Sequence, residues 1–460
     1  MMKFGEWGKV ENGVWTRQFE LSSDVKLHIP AEDGRCLDKT VPVGTIWQKR
    51  FPAWRATCMI IQYPNEFILL STRDKRECYP SFRIEKTEKE FKVSWTWTLA
   101  AHLKLSANES PPEFHIDSFN SLDGAVKDYR KWMNYAWPIQ QPPSPKWLSK
   151  TRLLVMFELW TGTGHITHTF NDFVDLIEAL VKEGAPSHTI IYFWGWLAPF
   201  DTNYPEYWPA KDLGGEEGLK RVVEAARKAN FHLLPHCNWW GIDSNHPDFP
   251  KFRDNQVCFR SGERCGWRSP GEPTIEYIRP TYQPWREFVT GKIAKFVNTF
   301  ELEAVFLDQI GAGSDDAQCN FDMGTKQYVA TLLDKCPDLL IAGEFFHERY
   351  RDLSLWQIWG TPWCGLPVQE VIPHSDILGQ LFGKDFRMFA HMGMPAAVPV
   401  KHCWPAYYWY VDYYGAKEAA RRANNFHRLL GAIPSVRVNF REFGLDSFTK
   451  KILQNVRDDI

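Results

Sequence analysis

From residue 151 onward, short apolar runs alternate with amphipathic segments, and this rhythm restricts the fold more than any other feature of the chain. The runs are RLLVMFEL (152–159), HTIIYFWGW (188–196), HLLPHCNWW (232–240), LEAVFLDQI (302–310) and LLIAGEFF (339–346). Between them lie FNDFVDLIEALVKEG, GEEGLKRVVEAARKANF, QPWREFVTGKIAKFVNTF and KQYVATLLDKC, whose apolar residues recur at helical spacing. Gly184 supplies a C-terminal cap for the first of these. Residues 347–358 read as a further helix, and HSDILGQLFGKDFRMFAHM, GMPAAVPV, GAKEAARRANNFHRLLG and IPSVRVNF as later, less regular units. Strands so continuously apolar are buried on both faces, as in parallel sheets. About eight units in about 310 residues predict an α/β fold, a (β/α)8 TIM-type barrel, rather than an open doubly wound sheet.

The segment before the barrel reads differently. VWTRQFEL, ATCMIIQY, EFILLST, SFRIEKT and FKVSWTWTL are short β-branched and aromatic runs punctuated by Gly, Asn, Asp and Pro. They predict an N-terminal antiparallel β-sandwich over residues 1–137 that ends in a helix, SLDGAVKDYRKWMNYAW. PIQQPPSPKW (138–147) opens a proline-rich linker, 138–150, and the barrel is expected over 151–460.

Composition narrows the function. The net charge is -2 and no Lys/Arg-rich run occurs, so nothing favours a nucleic-acid partner. No G-x-G-x-x-G or G-x-x-x-x-G-K-[ST] follows a strand, so nucleotide binding has no support. The ten cysteines form no C-x-x-C pair, which speaks against structural zinc and for free thiols. No cofactor or metal is expected. No apolar stretch of about 18 residues spans a membrane, and MMKFGEWGKVENG lacks a signal-peptide core, which points to the cytoplasm. The outlier is 22 tryptophans. Each alone is best explained by core packing. Together, beside acids and amides, they suit the apolar faces of sugars.

Barrel chemistry sits at the C-terminal ends of the strands. Those ends carry Glu158 (first), Asp201 just past the second, His236, Asn238 and Asp243 (third), Asp308 (fourth) and Glu344 (fifth). Asp308 sits in AVFLDQIGAG, among Ala304 to Leu307 and Ile310. It could be an ordinary helix cap. Glu344 in AGEFF is a poor cap and harder to explain structurally. One β-α unit apart, the two acids should converge, and two carboxyl groups across one bond are what glycoside hydrolysis requires. Adjacent strands imply a short gap, nearer the roughly 5–5.5 Å of retaining enzymes than the roughly 6.5–9.5 Å of inverting ones. His236 and Asn238, on alternate positions of one strand, point the same way. Trp194, Trp196, Trp239 and His402 complete the expected sugar-binding set with Glu158 and Asp201. Glu348 competes with Glu344 for the acid role, and Asp315/Asp316 reads as a solvated loop rather than a calcium site.

YIRPTYQPWREFVTGKIAKFV, EAVFLDQIGAG, CNFD and LLIAGEFFHERY resemble a glycoside-hydrolase-like barrel family of unassigned activity, over roughly residues 150–400. More distantly the pattern is similar to α-amylase-like and endo-α-N-acetylgalactosaminidase barrels. That resemblance implies Asp308 as nucleophile, Glu344 as general acid/base and an upstream β-sandwich. It also marks departures: the amylase Arg two residues before the nucleophile is Phe306 here, and His402 has no adjacent Asp, Asp412 lying ten residues on. The expectation is a retaining glycoside hydrolase acting on an α-linkage of an oligosaccharide or glycoside. The alternatives are a transglycosylase or sugar lyase, and a non-catalytic carbohydrate-binding protein on the same barrel.

Overall fold

A computed structural model of the chain describes residues 3–4, 8–10, 13–31, 34–103, 109–139, 144–267, 274–358, 373, 375–382, 387–390 and 431–458. The N-terminal strands run β1 (Lys3–Phe4), β2 (Gly8–Val10), β3 (Val14–Ser22), β4 (Lys26–Ile29), β5 (Arg35–Leu37), β6 (Ile46–Arg50), β7 (Cys58–Gln62), β8 (Phe67–Thr72), β9 (Ser81–Lys86), β10 (Glu90–Thr98) and β11 (Phe114–Phe119). They form two antiparallel sheets, β1-β3-β10-β9-β6, with β2 also on β3, and β11-β8-β7-β4-β5. Period-two alternation decides what each face does. In β10, Phe91, Val93 and Trp95 point into the sandwich core while Lys92, Ser94 and Thr96 face outward. In β7 both faces are dry. Met59 and Ile61 enter the sandwich core, and Cys58 and Ile60 join the barrel's core. The second sheet is therefore packed on both sides, which is why CMII reads as an unbroken apolar run.

Helix α1 (Leu122–Ala136) follows, capped by Ser121. Eight parallel strands then make the barrel: β12 (Leu154–Glu158), β13 (Ile190–Trp194), β14 (His232–Asn238), β18 (Ala304–Asp308), β19 (Leu340–Glu344), β20 (Leu355–Ile358), β21 (Arg387–Ala390) and β22 (Ser435–Val438). Phe389 bridges Ile433 in parallel, joining the two ends of the sheet. The helices α2 (Phe170–Lys182), α3 (Gly215–Ala229), α5 (Gln283–Phe300) and α6 (Phe321–Lys335) fall between strands as expected, and a short turn, α4 (Phe249–Phe252), lies between α3 and α5. Alternation divides the strands into two layers. Val155, Phe193, Leu233, Val305 and Ile341 face the helices. Met156, Tyr192, Leu234, Phe306, Ala342, Leu355 and Phe389 fill the barrel.

Two expectations fail here. Residues 347–358 are not a helix: a 3-10 turn at Glu348–Tyr350 leads straight into β20. Leu355 enters the barrel and Trp356 faces outward, a strand's period of two. Helix α1 packs beside this helix-poor connection. Arg351 donates to the Met133 and Trp137 carbonyls at its C-terminal end, at 3.2 and 2.7 Å. The second failure concerns Asp315 and Asp316, which are not a solvated loop. Asp316 is fully buried against Arg279 (3.0 Å) and Asp315 pairs with Arg260 (3.0 Å). The eight cysteines among the described residues are free thiols. The described helices include none long and apolar enough to cross a membrane.

Candidate active site

The top layer of the barrel interior is polar. Continuing the inward register of each strand places Glu158, Trp194, His236, Asn238, Asp308, Glu344, Gln357 and Arg437 at the C-terminal mouth. Asn238 lies opposite Asp308, and Glu344 opposite Gln357.

Asp308 and Glu344 are in hydrogen-bonding contact through their side chains. Burial first, and the neighbouring Glu344 second, push the Asp308 carboxyl well above its ordinary range. Two such groups in contact share a proton rather than both ionising. Each has a fixed donor. Asn238 Nδ2 donates to Asp308 Oδ2 at 3.3 Å, and the backbone N–H of Gln309 donates to Glu344 Oε2 at 3.1 Å. The amide of Asn238 is oriented because its Oδ1 accepts from the Trp240 and Gly241 N–H groups, at 3.2 and 2.7 Å. Glu344 is buried, while Asp308 keeps part of its surface open.

The backbone holds this pair under strain. The residue after each acid is left-handed, Gln309 at φ +54° and Phe345 at φ +61°. Neither side chain favours that region. Gly311 lets the two loops close on one another: its N–H donates to the Glu344 carbonyl at 2.9 Å, and a Cβ there would overlap the Phe345 carbonyl. The glycine after DQI is thus explained by the acid on the next strand.

Asp201, His236 and Asp308 each bring one atom to a cluster in which all lie within 4.8 Å of one another. By residue type these could ligate a divalent cation; by the same token they can bind sugar hydroxyls. Tyr192, one layer below, hydrogen-bonds His236 Nδ1 at 2.7 Å. Tyr204 donates to Asp201 (3.4 Å), and Tyr277 to Gln309 (3.4 Å). Tyr277 belongs to a three-stranded sheet of β15 (Gly241–Asp243), β16 (Gly266–Trp267) and β17 (Ile275–Tyr277), inserted after the third barrel strand.

The other expected residues are distributed unevenly. Glu158 is at the mouth but engaged: Arg437 pairs with it at 2.7 Å and Trp194 Nε1 donates to it at 3.0 Å. Trp194 is 1% exposed and lies beneath the Arg437 guanidinium. Trp196 and Trp239 lie outside the barrel wall. Trp196 stacks on Phe296 of α5, and Trp239 meets Tyr328 of α6 edge-on. Each comes two residues or fewer after its strand, where the inward register no longer holds. Asp243 accepts from the Asn203 and Asn245 N–H groups and shapes the loop carrying Asp201. His402 and Asp412 lie outside the described residues. Glu348 is buried away from the mouth and accepts from Thr57 N, Thr57 Oγ1 (both 2.9 Å) and Tyr129 (2.8 Å). The sequence reading missed Tyr192, Gln357 and Arg437. Tyr192 and Arg437 carried a signal, a polar atom in an otherwise apolar strand.

Residues 120–324 match the model of a family described as Domain of unknown function (DUF6259). The match begins just before α1. Two curated proteins are similar, both named "Putative glycoside hydrolase". One, from Bacteroides thetaiotaomicron, is 19% identical over 58% of this chain and 40% of its own; the other, from Monosiga brevicollis, is 25% identical over 25% and 10%. The chain spans less than half the length of these relatives. Among solved structures, the α-N-acetylgalactosaminidase NagBb from Bifidobacterium bifidum superposes with TM-score 0.64 at 10% identity, over 84% of this chain and 75% of that one. The GH36 α-galactosidase AgaA from Geobacillus stearothermophilus gives TM-score 0.56 at 12% identity, over 97% and 66%. The chain therefore shares its fold with these solved glycosidases, a (β/α)8 barrel with antiparallel β-sheets ahead of it, and its residues 120–324 match the DUF6259 model.

Proposed function

We propose that this chain is a retaining glycoside hydrolase acting on an α-linked sugar, with Asp308 as nucleophile and Glu344 as general acid/base. The observation that carries the reading is the contact between the two carboxyl groups at the mouth. A pair in contact is closer than either class holds its acids, and lies nearer the roughly 5–5.5 Å of retaining enzymes than the roughly 6.5–9.5 Å by which inverting enzymes admit a water. The α-linkage is supported by the names of the fold neighbours, an α-N-acetylgalactosaminidase and an α-galactosidase.

The chemistry follows from the surroundings of each acid. A sugar entering the mouth separates the pair and takes the place of their mutual bond. In this reading the parting relieves Asp308 of its acidic neighbour, Asn238 donates to the carboxylate so formed, and the shared proton goes to Glu344. Asp308 attacks the anomeric carbon as the C–O bond breaks, and Glu344 gives its proton to the departing oxygen. Glu344 then takes a proton from water, whose oxygen attacks the same carbon and releases Asp308. Asp201, His236 and Asn238 bind the sugar in this reading. Trp194, with Glu158 and Arg437, forms a rigid floor.

A screen of aryl α- and β-glycosides and of natural oligosaccharides tests this, run in EDTA and against Asp308→Asn. Turnover by the wild type and none by the variant supports the reading. Full activity of the variant overturns the nucleophile. Hydrolysis restored only by a divalent cation would move Asp201, His236 and Asp308 into a metal role.

A further inference from the structure

In the middle of the barrel interior, Tyr192 sets a hydroxyl among apolar side chains. Met156, Leu234, Phe306, Ala342, Leu355 and Phe389 surround Tyr192, which is 2% exposed. Its ring packs on Phe306 at 4.8 Å and Phe389 at 6.0 Å. A phenylalanine would fill the same space, and a buried hydroxyl is costly unless hydrogen-bonded. The oxygen bonds His236 Nδ1 at 2.7 Å. Burial, then the charges of Asp308, Glu344 and Asp201, hold the phenol far above its ordinary pKa, so the oxygen always carries its proton.

The direction of that bond fixes the imidazole. With Nδ1 taken by Tyr192, Nε2 is the atom left for the carboxylates of Asp201 and Asp308, within 4.8 Å. If Tyr192 accepted from Nδ1–H, a neutral ring would turn a lone pair toward two acids. If Tyr192 donates to Nδ1, the ring presents Nε2–H to them. Of the two neutral forms, the second turns an N–H rather than a lone pair toward the acids. Phe200 edge-on at 5.1 Å and Phe306 at 5.4 Å hold the ring plane.

We propose that Tyr192 is a positioning residue that locks His236 in the Nε2–H tautomer, making His236 a fixed hydrogen-bond donor beside the Asp308 nucleophile. The role rests on the glycosidase reading for its purpose but not for its existence. An N–H aimed at the Asp308 side of the site stabilises the carboxylate, adding to the Asn238 donor. It thereby favours the proton on Glu344, as the reaction demands. No group transfer occurs at Tyr192 itself.

The test is Tyr192→Phe in the full chain, with His236→Gln beside it. Side-chain nitrogen NMR of ¹⁵N-histidine-labelled protein, assigned by loss of a signal in His236→Gln, reads the tautomer without any substrate. The wild type is expected to show neutral Nε2–H, and Tyr192→Phe a mixture of tautomers. On any glycoside the wild type cleaves, Tyr192→Phe is expected to lower kcat about ten- to a hundredfold with KM little changed. An Nδ1–H tautomer in the wild type, or an unchanged tautomer in a folded Tyr192→Phe, overturns the proposal. A correct tautomer in a protein that cleaves nothing would sink the glycosidase reading and leave this one standing. A lowered Tm with unchanged kcat would reduce Tyr192 to packing.

Discussion

The Asp308 and Glu344 carboxyl groups bond to each other from the ends of neighbouring parallel strands. Register places Leu307 beside Gly343, so both acids leave the sheet at the same height and on the same inward face. On the proposed mechanism, removing either carboxyl group removes half of one machine. Asp308→Asn should lower kcat by at least about a thousandfold. Glu344→Gln should do the same on sugars with poor leaving groups and less on aryl glycosides with acidic phenols, which need no protonation. Steady-state kinetics on both substrate types checks this. Equal losses on both would contradict the acid role of Glu344.

Glu348 offers the control. It is buried, but its bonds go to Thr57 and Tyr129 in the segment ahead of the barrel. Glu348→Ala would strand those donors and should destabilise the fold by about 3 kcal/mol. Activity per folded molecule should be kept. Urea unfolding beside active-site titration separates the two effects.

Gly311 is expected to tolerate no side chain. Gly311→Ala forces the loop after Asp308 off the Phe345 carbonyl and should cost about 2–4 kcal/mol. Because that movement also parts the two acids, kcat should fall with stability. A variant as stable and active as the wild type would show that the loops are not in contact.

Much of the barrel was legible because its strands are buried on both faces and its helices are amphipathic. The mouth was legible in part, since Asp308, Glu344, His236 and Asn238 end strands whose register is regular. The two tryptophans expected there, Trp196 and Trp239, lie beyond the last inward residue, where alternation no longer says which way a side chain points. β20 was hidden because the turn before it is rich in charge, and those charges serve contacts with residues over two hundred positions away. No local pattern records such partners.

One of those long-range contacts should make stability depend on pH. Burial first, and Asp322 next, push the Glu77 carboxyl up to about 8, against the pull of Arg349. His102 and Tyr79 also face it. The folded chain thus holds a proton that the unfolded chain releases near its ordinary 4.5. Stability from this group is intact below that value and lost as pH rises toward 8. The loss should be on the order of a few kcal/mol, and Glu77→Gln should flatten it. Unfolding midpoints from about pH 5 to about pH 9 check the slope. A wild type as stable at the upper end as at the lower would contradict it.

Proton NMR of the first sugar released is the most direct measurement of the whole account. Two successive displacements at one carbon, by Asp308 and then by water, should yield the α-anomer first from an α-linked substrate, with the β-form appearing only as mutarotation proceeds. A first product of β configuration would mean a single displacement, and the proposed role of Asp308 would be wrong.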